Sequence, residues 1–95
     1  MNPDAMHRIR KKVPREHVPS AIAVYAALCE IARVKRDDTF PVTNRQITDA
    51  TFLSRDTVLL RLKDLKSARV LKLIDAPNGG THSYTLPYYT TGASD

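Results

Sequence analysis

Two helix-start signals in the middle of the chain, Thr43 and Ser54, constrain its fold more than any other feature. A hydroxyl side chain at such a position accepts a hydrogen bond from a free N–H of the following turn, which is typical of helix N-caps. The spacing predicts a short helix over residues 44–50, a turn at residues 51–53, and a second helix from Ser54 to about residue 67. Two short helices joined this tightly cannot bury their apolar faces alone, so a further element must close the core.

A longer helix is predicted ahead of this pair. Its N-cap is Ser20, and it runs to about Arg33. Val24, Leu28 and Ile31 recur within it at steps of four and three residues, which is the spacing of one buried helical face. This helix can pack over the two short helices and close a small core.

Short strands are predicted before and after the helix pair. Residues 40–42 are too few for a helix and can pair as a short strand. Residues 70–75 and 83–86 have strand patterns, and Asn78-Gly79 between them is a strong hairpin signal because both residues tolerate positive φ. The predicted fold is therefore α+β, with three helices and a C-terminal β-hairpin.

The order of the elements divides the chain into three parts. Residues 1–19 contain three prolines and are predicted to form a basic, extended or flexible arm. Residues 20–87 are predicted to form the folded domain, and residues 88–95 a flexible tail. A chain of 95 residues has room for one small core and no second domain.

The positive charge of the chain is concentrated in two segments. The net charge is +5, of which residues 1–19 carry +3 and residues 39–69 carry +3, whereas residues 70–95 carry −1. Such concentration indicates a polyanionic partner, either nucleic acid or a membrane surface. We expect the basic segments to expose no aromatic side chain that could stack on single strands, and no helix sets a Lys-rich face opposite a large apolar one. Duplex DNA is therefore favoured over RNA and membranes.

Other classes of function have no support in the sequence. Cys29 is the single cysteine, and His7, His17 and His82 share no metal-ligand spacing. No nucleophile–base pair, Gly-rich phosphate loop or acidic pair is visible, so we expect no enzyme activity, cofactor or metal. We also expect no membrane-spanning segment or signal peptide, and hence a cytoplasmic location in a bacterial, archaeal, viral or plasmid-encoded setting.

The segment TNRQITDATFLSRDTVLLRLKDLKSARVL, preceded by SAIAVYAALCEIA and FPV and followed by a hairpin, resembles the winged helix-turn-helix family. The resemblance covers residues 19–87 and is closest to the branch found in plasmid and phage replication initiators and small regulators. It implies binding of double-stranded DNA as a transcriptional regulator or a replication or partition accessory factor. The helix over residues 54–67 would enter the major groove, and a homodimer could occupy two half-sites.

Candidate DNA contacts follow from this arrangement. The helix starts can meet phosphates, the basic flank of the last helix and the arm can add affinity, and the hairpin can act as a wing. Each candidate also has a structural alternative, since Thr43 and Ser54 cap helices, Asp56 favours a helix N-terminus, and basic side chains can simply be solvated. The candidates are Thr43, Asn44, Arg45, Ser54, Arg55, Asp56, Thr57, Leu59, Leu60, Arg61, Lys63, Lys66, Lys72 and His82, with Arg8, Arg10, Lys11 and Lys12 of the arm.

The sequence departs from the family pattern in three places, at four residues. Phe52 stands where the turn usually has Gly, and we expect it to pack on the core as a wedge. Arg69 stands where Gly usually ends the last helix, and a left-handed residue there costs roughly 1 kcal/mol. Leu59 and Leu60 stand at positions that usually read bases. They can touch thymine methyl groups, or they can form an apolar patch that makes the chain a protein–protein interaction module.

Overall fold

The computed structural model describes residues 3–75 and 81–88 of the chain. Within these ranges, four α-helices and a three-stranded antiparallel sheet form an α+β fold. The predicted α+β class is confirmed, but the expected number of helices, three, is wrong. In chain order the elements are α1 (Pro3–Lys12), a 3-10 turn (Arg15–His17), α2 (Val18–Lys35), β1 (Thr39–Thr43), α3 (Asn44–Thr51), α4 (Arg55–Ser67), β2 (Lys72–Asp75) and β3 (Thr81–Thr85).

The additional helix, α1, lies where the sequence predicted an extended arm. Pro3 is compatible with a helix because it occupies the first turn, where no N–H is needed for the helical ladder. Ala5, Ile9 and Val13 follow at steps of four residues, and all three are buried in the core. The helix ends just before Pro14. The expectation of an extended arm is therefore wrong for Pro3–Lys12.

Helix α2 begins earlier than predicted. Its N-cap is His17, and Ser20 lies inside the first turn, where its Oγ donates to the backbone oxygen of His17 at 3.2 Å. Pro19 is tolerated there for the same reason as Pro3. The predicted buried face is confirmed, although Ile31 is only partly buried. The buried residues of the helix are Ala21, Val24, Tyr25, Leu28 and Ala32.

The stretch that contains α2 is long and apolar. Residues Arg15–Lys35 have a mean hydropathy of 1.2 over an 18-residue window, enough by length and composition to cross a membrane. The expectation of no membrane-spanning segment stays a prediction. In the structure, 28% of the window is buried inside the molecule, where its inner face packs against the other helices and β1.

Helices α3 and α4 begin and end within one residue of the positions predicted from the sequence. The turn between them differs from the prediction, because Phe52 has φ 61° and is 92% exposed instead of packing on the core. The following residue, Leu53, packs against the core in its place. Ala50 is exposed, whereas Ile47 is fully buried. The exposed ring of Phe52 also shows that the expectation of no exposed aromatic side chain in the basic segments is wrong.

The sheet has the order β1-β3-β2, with both neighbouring pairs antiparallel. The predicted strand over residues 40–42 is confirmed as part of β1, and the hairpin strands are confirmed as β2 and β3. Tyr84 and Leu86 are buried, whereas Leu73, which lies opposite Tyr84, remains 38% exposed. The predicted hairpin turn at Asn78-Gly79 and the tail beyond Tyr88 lie outside the described residues.

Candidate nucleic-acid interface

The first residues of α3 and α4 line one surface groove. The groove has a volume of about 370 Å³ and is lined by Thr43, Asn44, Arg45, Thr48 and Arg55. Four of these residues were predicted as DNA contacts from the sequence, and the structure brings them together. Thr48 was not predicted as a contact, because it lies one turn beyond the start of α3. Only the structure shows that it lines the groove together with Arg55.

Local hydrogen bonds hold the start of α3 in place. The Thr43 Oγ1 accepts from the backbone N–H of Gln46 at 3.2 Å, and the Gln46 Oε1 accepts from the backbone N–H of Thr43 at 2.8 Å. This reciprocal pair is a capping box, in which the backbone N–H groups of Thr43 and Gln46 are both satisfied locally. The predicted N-cap role of Thr43 is confirmed.

The start of α4 is capped in a similar way. The Ser54 Oγ accepts from the Thr57 backbone N–H at 3.2 Å and donates its own proton to the Thr57 Oγ1 at 2.9 Å. The predicted cap is therefore confirmed. Because these two hydroxyls already bond to each other, Arg55 and Asp56 are the residues of this turn whose side chains extend freely into solvent.

Two exposed arginines supply the positive charge of the groove. The side chain of Arg45 is 89% exposed and lies 3.9 Å from the Asp49 carboxylate, measured between Nε and Oδ2. An exposed ion pair of this kind contributes roughly 0–1 kcal/mol, so it does not prevent Arg45 from binding another anion. Arg55 is also exposed, at the first position of α4. The positive ends of both helix dipoles add to this charge.

The outer face of α4 combines leucine and lysine side chains. Leu59 is 42% exposed and Leu60 is 55% exposed, while Lys63 and Lys66 are exposed further along the same helix. The predicted outward position of both leucines is confirmed. The face therefore places apolar side chains between Arg55 at the start of the helix and two lysines in its second half.

Arg61 does not belong to this face. It is only 6% exposed, and its Nε lies 3.1 Å from the Asp64 Oδ2, which also lies 3.3 Å from the Nδ1 of His17. Its Nη1 donates to the Ser20 Oγ at 3.4 Å. The prediction that Arg61 forms part of a basic, DNA-facing flank is wrong, because the guanidinium is needed to neutralise a carboxylate between α4 and the start of α2.

Arg8 is likewise engaged inside the molecule. Its Nε donates to the backbone oxygen of Ala68 at 3.0 Å, and its guanidinium lies 5.9 Å from the ring centroid of Tyr88. It therefore satisfies a carbonyl at the end of α4, a common role for a basic side chain at a helix C-terminus. The prediction of Arg8 as a DNA contact is not supported by this position. Arg10, Lys11 and Lys12 are exposed in the last turn of α1.

The hairpin lies at the same end of the sheet as the groove. Thr43 pairs with Thr81, and Val42 pairs with His82, so β3 begins next to the start of α3. His82 is part of this strand, and its ring stacks on Tyr84 with centroids 6.0 Å apart. Lys72 is exposed on β2, opposite Thr85 at the other end of β3.

A second cavity, of about 750 Å³, lies between α2 and α3. It is lined mainly by small and apolar side chains, and its charged residues, Glu30 and Asp49, are acidic. A polyanion is therefore better accommodated by the groove at Arg45 and Arg55. Among the described residues, no group of three or more His, Cys, Asp or Glu side chains could hold a metal ion.

Shifted pKa values occur in the core and at the end of α2. Burial raises the pKa of the Tyr25 hydroxyl and of the nearby Cys29 thiol above their ordinary values. Burial also raises the pKa of Tyr84, whereas the hydrogen bond from Arg33 lowers the pKa of Glu30. The higher pKa of Cys29 disfavours its reactive thiolate form.

The chain matches no protein-family model, no curated protein and no solved structure. Its function is therefore inferred from the side chains described above.

Proposed function

We propose that this chain binds double-stranded DNA as a winged helix-turn-helix protein, with α4 in the major groove. The observation that carries the proposal is the groove at the starts of α3 and α4, where Arg45 and Arg55 flank polar side chains. Helix N-termini present free N–H groups and a positive dipole end, and guanidinium groups bind phosphate in a bidentate manner. This combination suits the backbone of a duplex.

The order of the elements supports the same proposal. Helix α2, strand β1, helices α3 and α4, and the hairpin of β2 and β3 follow one another as in a winged helix-turn-helix domain. The three-residue turn between α3 and α4 and the central position of β3 are compatible with that fold. The hairpin would then be the wing, lying beside the groove.

The dimensions of α4 are suitable for the major groove. Its 13 residues span roughly 20 Å, and a groove about 12 Å wide admits one α-helix. Arg55 lies at its first turn, and the exposed basic residues of α1 lie towards its other end, because Arg8 contacts Ala68 there. Basic side chains at both ends of α4 would bind phosphates on either side of the major groove.

The role we propose is that of a small transcriptional regulator or a replication or partition accessory factor in the cytoplasm. A single domain of this size offers few base contacts, so we propose that it binds as a homodimer to two half-sites about one helical turn apart.

Removal of the groove arginines tests the proposal. An Arg45→Ala/Arg55→Ala variant should bind duplex DNA roughly tenfold more weakly or worse, because two phosphate contacts are lost. The measurement is a duplex titration with random and selected DNA at fixed salt. Lys35→Ala is the matched control, since Lys35 is exposed but lies beyond the opposite end of β1, and it should change affinity little. Equal affinities for both variants and the parent chain would refute the proposal.

A protein–protein interaction module is the second candidate function. The exposure of Leu59 and Leu60, with Phe52 exposed in the preceding turn, favours it. Exposed apolar side chains of this kind often mark a protein contact. A Leu59→Ser/Leu60→Ser variant separates the two functions. Unchanged duplex affinity would support the interaction module, whereas weaker duplex binding with an intact fold would support DNA binding.

A further inference from the structure

The middle of α4 presents only apolar side chains to the outside. Of the six residues between Asp56 and Lys63, only Leu59 and Leu60 are exposed. Val58, Arg61 and Leu62 are buried, and the hydroxyl of Thr57 accepts a hydrogen bond from Ser54. The Thr57 hydroxyl keeps its own proton, but the two exposed side chains of this stretch, Leu59 and Leu60, cannot form a hydrogen bond with a base edge.

The charges around the two leucines indicate what kind of surface they meet. Arg55 precedes them by one turn, and Lys63 and Lys66 follow them, so that basic side chains lie on both sides of the apolar patch along the helix. The exposed carboxylate of Asp56 also lies in the turn before the patch, where it favours the positive end of the helix. A polyanion with an apolar group between its phosphates is complementary to this pattern. In the major groove of DNA, that apolar group is the C5-methyl of thymine.

We infer that Leu59 and Leu60 pack against thymine methyl groups, so that α4 selects duplexes with thymine at the positions it covers. The inference rests on the proposed binding of duplex DNA and specifies which bases that binding favours. The amides that normally read adenine are absent, because α4 contains neither Asn nor Gln. Recognition at these positions is therefore apolar.

Replacement of thymine by uracil tests the inference, since it removes the C5-methyl group and leaves the hydrogen-bonding edges unchanged. The duplex is first selected from a random library by the parent chain, and dissociation constants are then measured for its thymine and uracil forms. Each methyl contact that is lost should weaken binding about three- to fivefold, and two should weaken it about ten- to twenty-fivefold.

The leucine variant shows where the methyl effect originates. In the Leu59→Ala/Leu60→Ala variant, the ratio of the dissociation constants for the uracil and thymine duplexes should fall to about one, because the apolar contact with the methyl groups is missing. Both leucines are exposed, so the variant should fold, and circular dichroism verifies this. Val34→Ala is the matched control, since Val34 is 70% exposed at the end of α2, and it should retain the full ratio.

Three outcomes would overturn the inference in distinguishable ways. Equal binding of thymine and uracil duplexes by the parent chain contradicts thymine reading and leaves DNA binding intact. Absence of any duplex binding contradicts both proposals. If the leucine variant keeps the parent chain's ratio of dissociation constants for the uracil and thymine duplexes, other residues contact the methyl groups. Leu59 and Leu60 then serve another contact, such as one with a protein.

Discussion

At the scale of single residues, the ends of the helices are unusual. Arg36, Phe52 and Arg69 follow the C-terminal turns of α2, α3 and α4, and each has a positive φ without being glycine. Each still satisfies a carbonyl, as in the hydrogen bond from the Phe52 N–H to the Thr48 oxygen at 2.8 Å. A left-handed non-glycine residue costs roughly 1 kcal/mol, so these ends are held by their surroundings and not by local preference.

Phe52→Gly should therefore stabilise the protein. Glycine relieves the left-handed strain, and the exposed ring contributes no core contact, so the free energy of unfolding should rise by roughly 0.5–1 kcal/mol. Urea unfolding measures the change. Phe52→Ala is the control, because alanine keeps the Cβ and the strain, and its effect should stay within about 0.5 kcal/mol. A larger gain from Ala than from Gly would contradict a backbone origin.

At the scale of elements, α4 is fastened by polar contacts as well as by apolar packing. Asp64 lies between Arg61 of its own helix and His17, while Ser20 accepts a hydrogen bond from Arg61. At the end of the helix, Arg8 binds the carbonyl of Ala68. The N-terminal segment therefore holds the helix that we propose to enter DNA.

Loss of the buried guanidinium should destabilise the fold. Arg61→Ala leaves the Asp64 carboxylate partly buried without its partner, which should lower the free energy of unfolding by about 2–4 kcal/mol. Lys66→Ala, an exposed position on the same helix, should stay within about 0.5 kcal/mol. Chemical denaturation compares the two. If Arg61→Ala were no more destabilising than Lys66→Ala, the ion pair would not anchor α4.

The packing of α1 makes a separate prediction. Ile9 is fully buried, so Ile9→Ala should lower the free energy of unfolding by about 2–5 kcal/mol, through lost apolar burial and the remaining cavity. His7→Ala, at an exposed position of the same helix, should have little effect. Thermal or urea unfolding measures both variants. An Ile9→Ala variant as stable as the parent chain would mean that α1 is not docked in solution.

At the scale of the whole molecule, the placement of charge determines how salt affects binding. Two cations of the sequence prediction, Arg8 and Arg61, are engaged inside the fold. Exposed cations of the sequence prediction remain at the end of α1, on α4 and in the groove: Arg10, Lys11, Lys12, Arg45, Arg55, Lys63 and Lys66. This number is sufficient to neutralise several phosphates.

We expect the logarithm of the binding constant to fall with the logarithm of salt concentration at a slope near −4 to −5. This slope corresponds to about five neutralised phosphates. Duplex titrations at several salt concentrations measure it. The Arg45→Ala/Arg55→Ala variant should have a slope shallower by about two, whereas Lys35→Ala should keep the parent slope. An affinity that does not depend on salt would contradict an interface built on these cations.

The sequence by itself determined the features that depend on neighbours within one turn. The N-caps at Thr43 and Ser54, and with them the starts of α3 and α4, follow from hydrogen bonds that span three residues. The strands of the hairpin and the buried stripe of α2 follow from local periodicity. The outward position of Leu59 and Leu60 follows from the same helical period.

Only the tertiary structure decided which cations face solvent. Arg61 bonds to a residue 41 positions away and Arg8 to one 60 positions away, so no local pattern distinguishes them from exposed basic residues. The docking of α1 and the exposure of Phe52 depend equally on how distant elements fill the core. Arg45 and Arg55, which lie ten residues apart in the sequence, line the same groove. Long-range packing, which local sequence does not encode, therefore placed the candidate site.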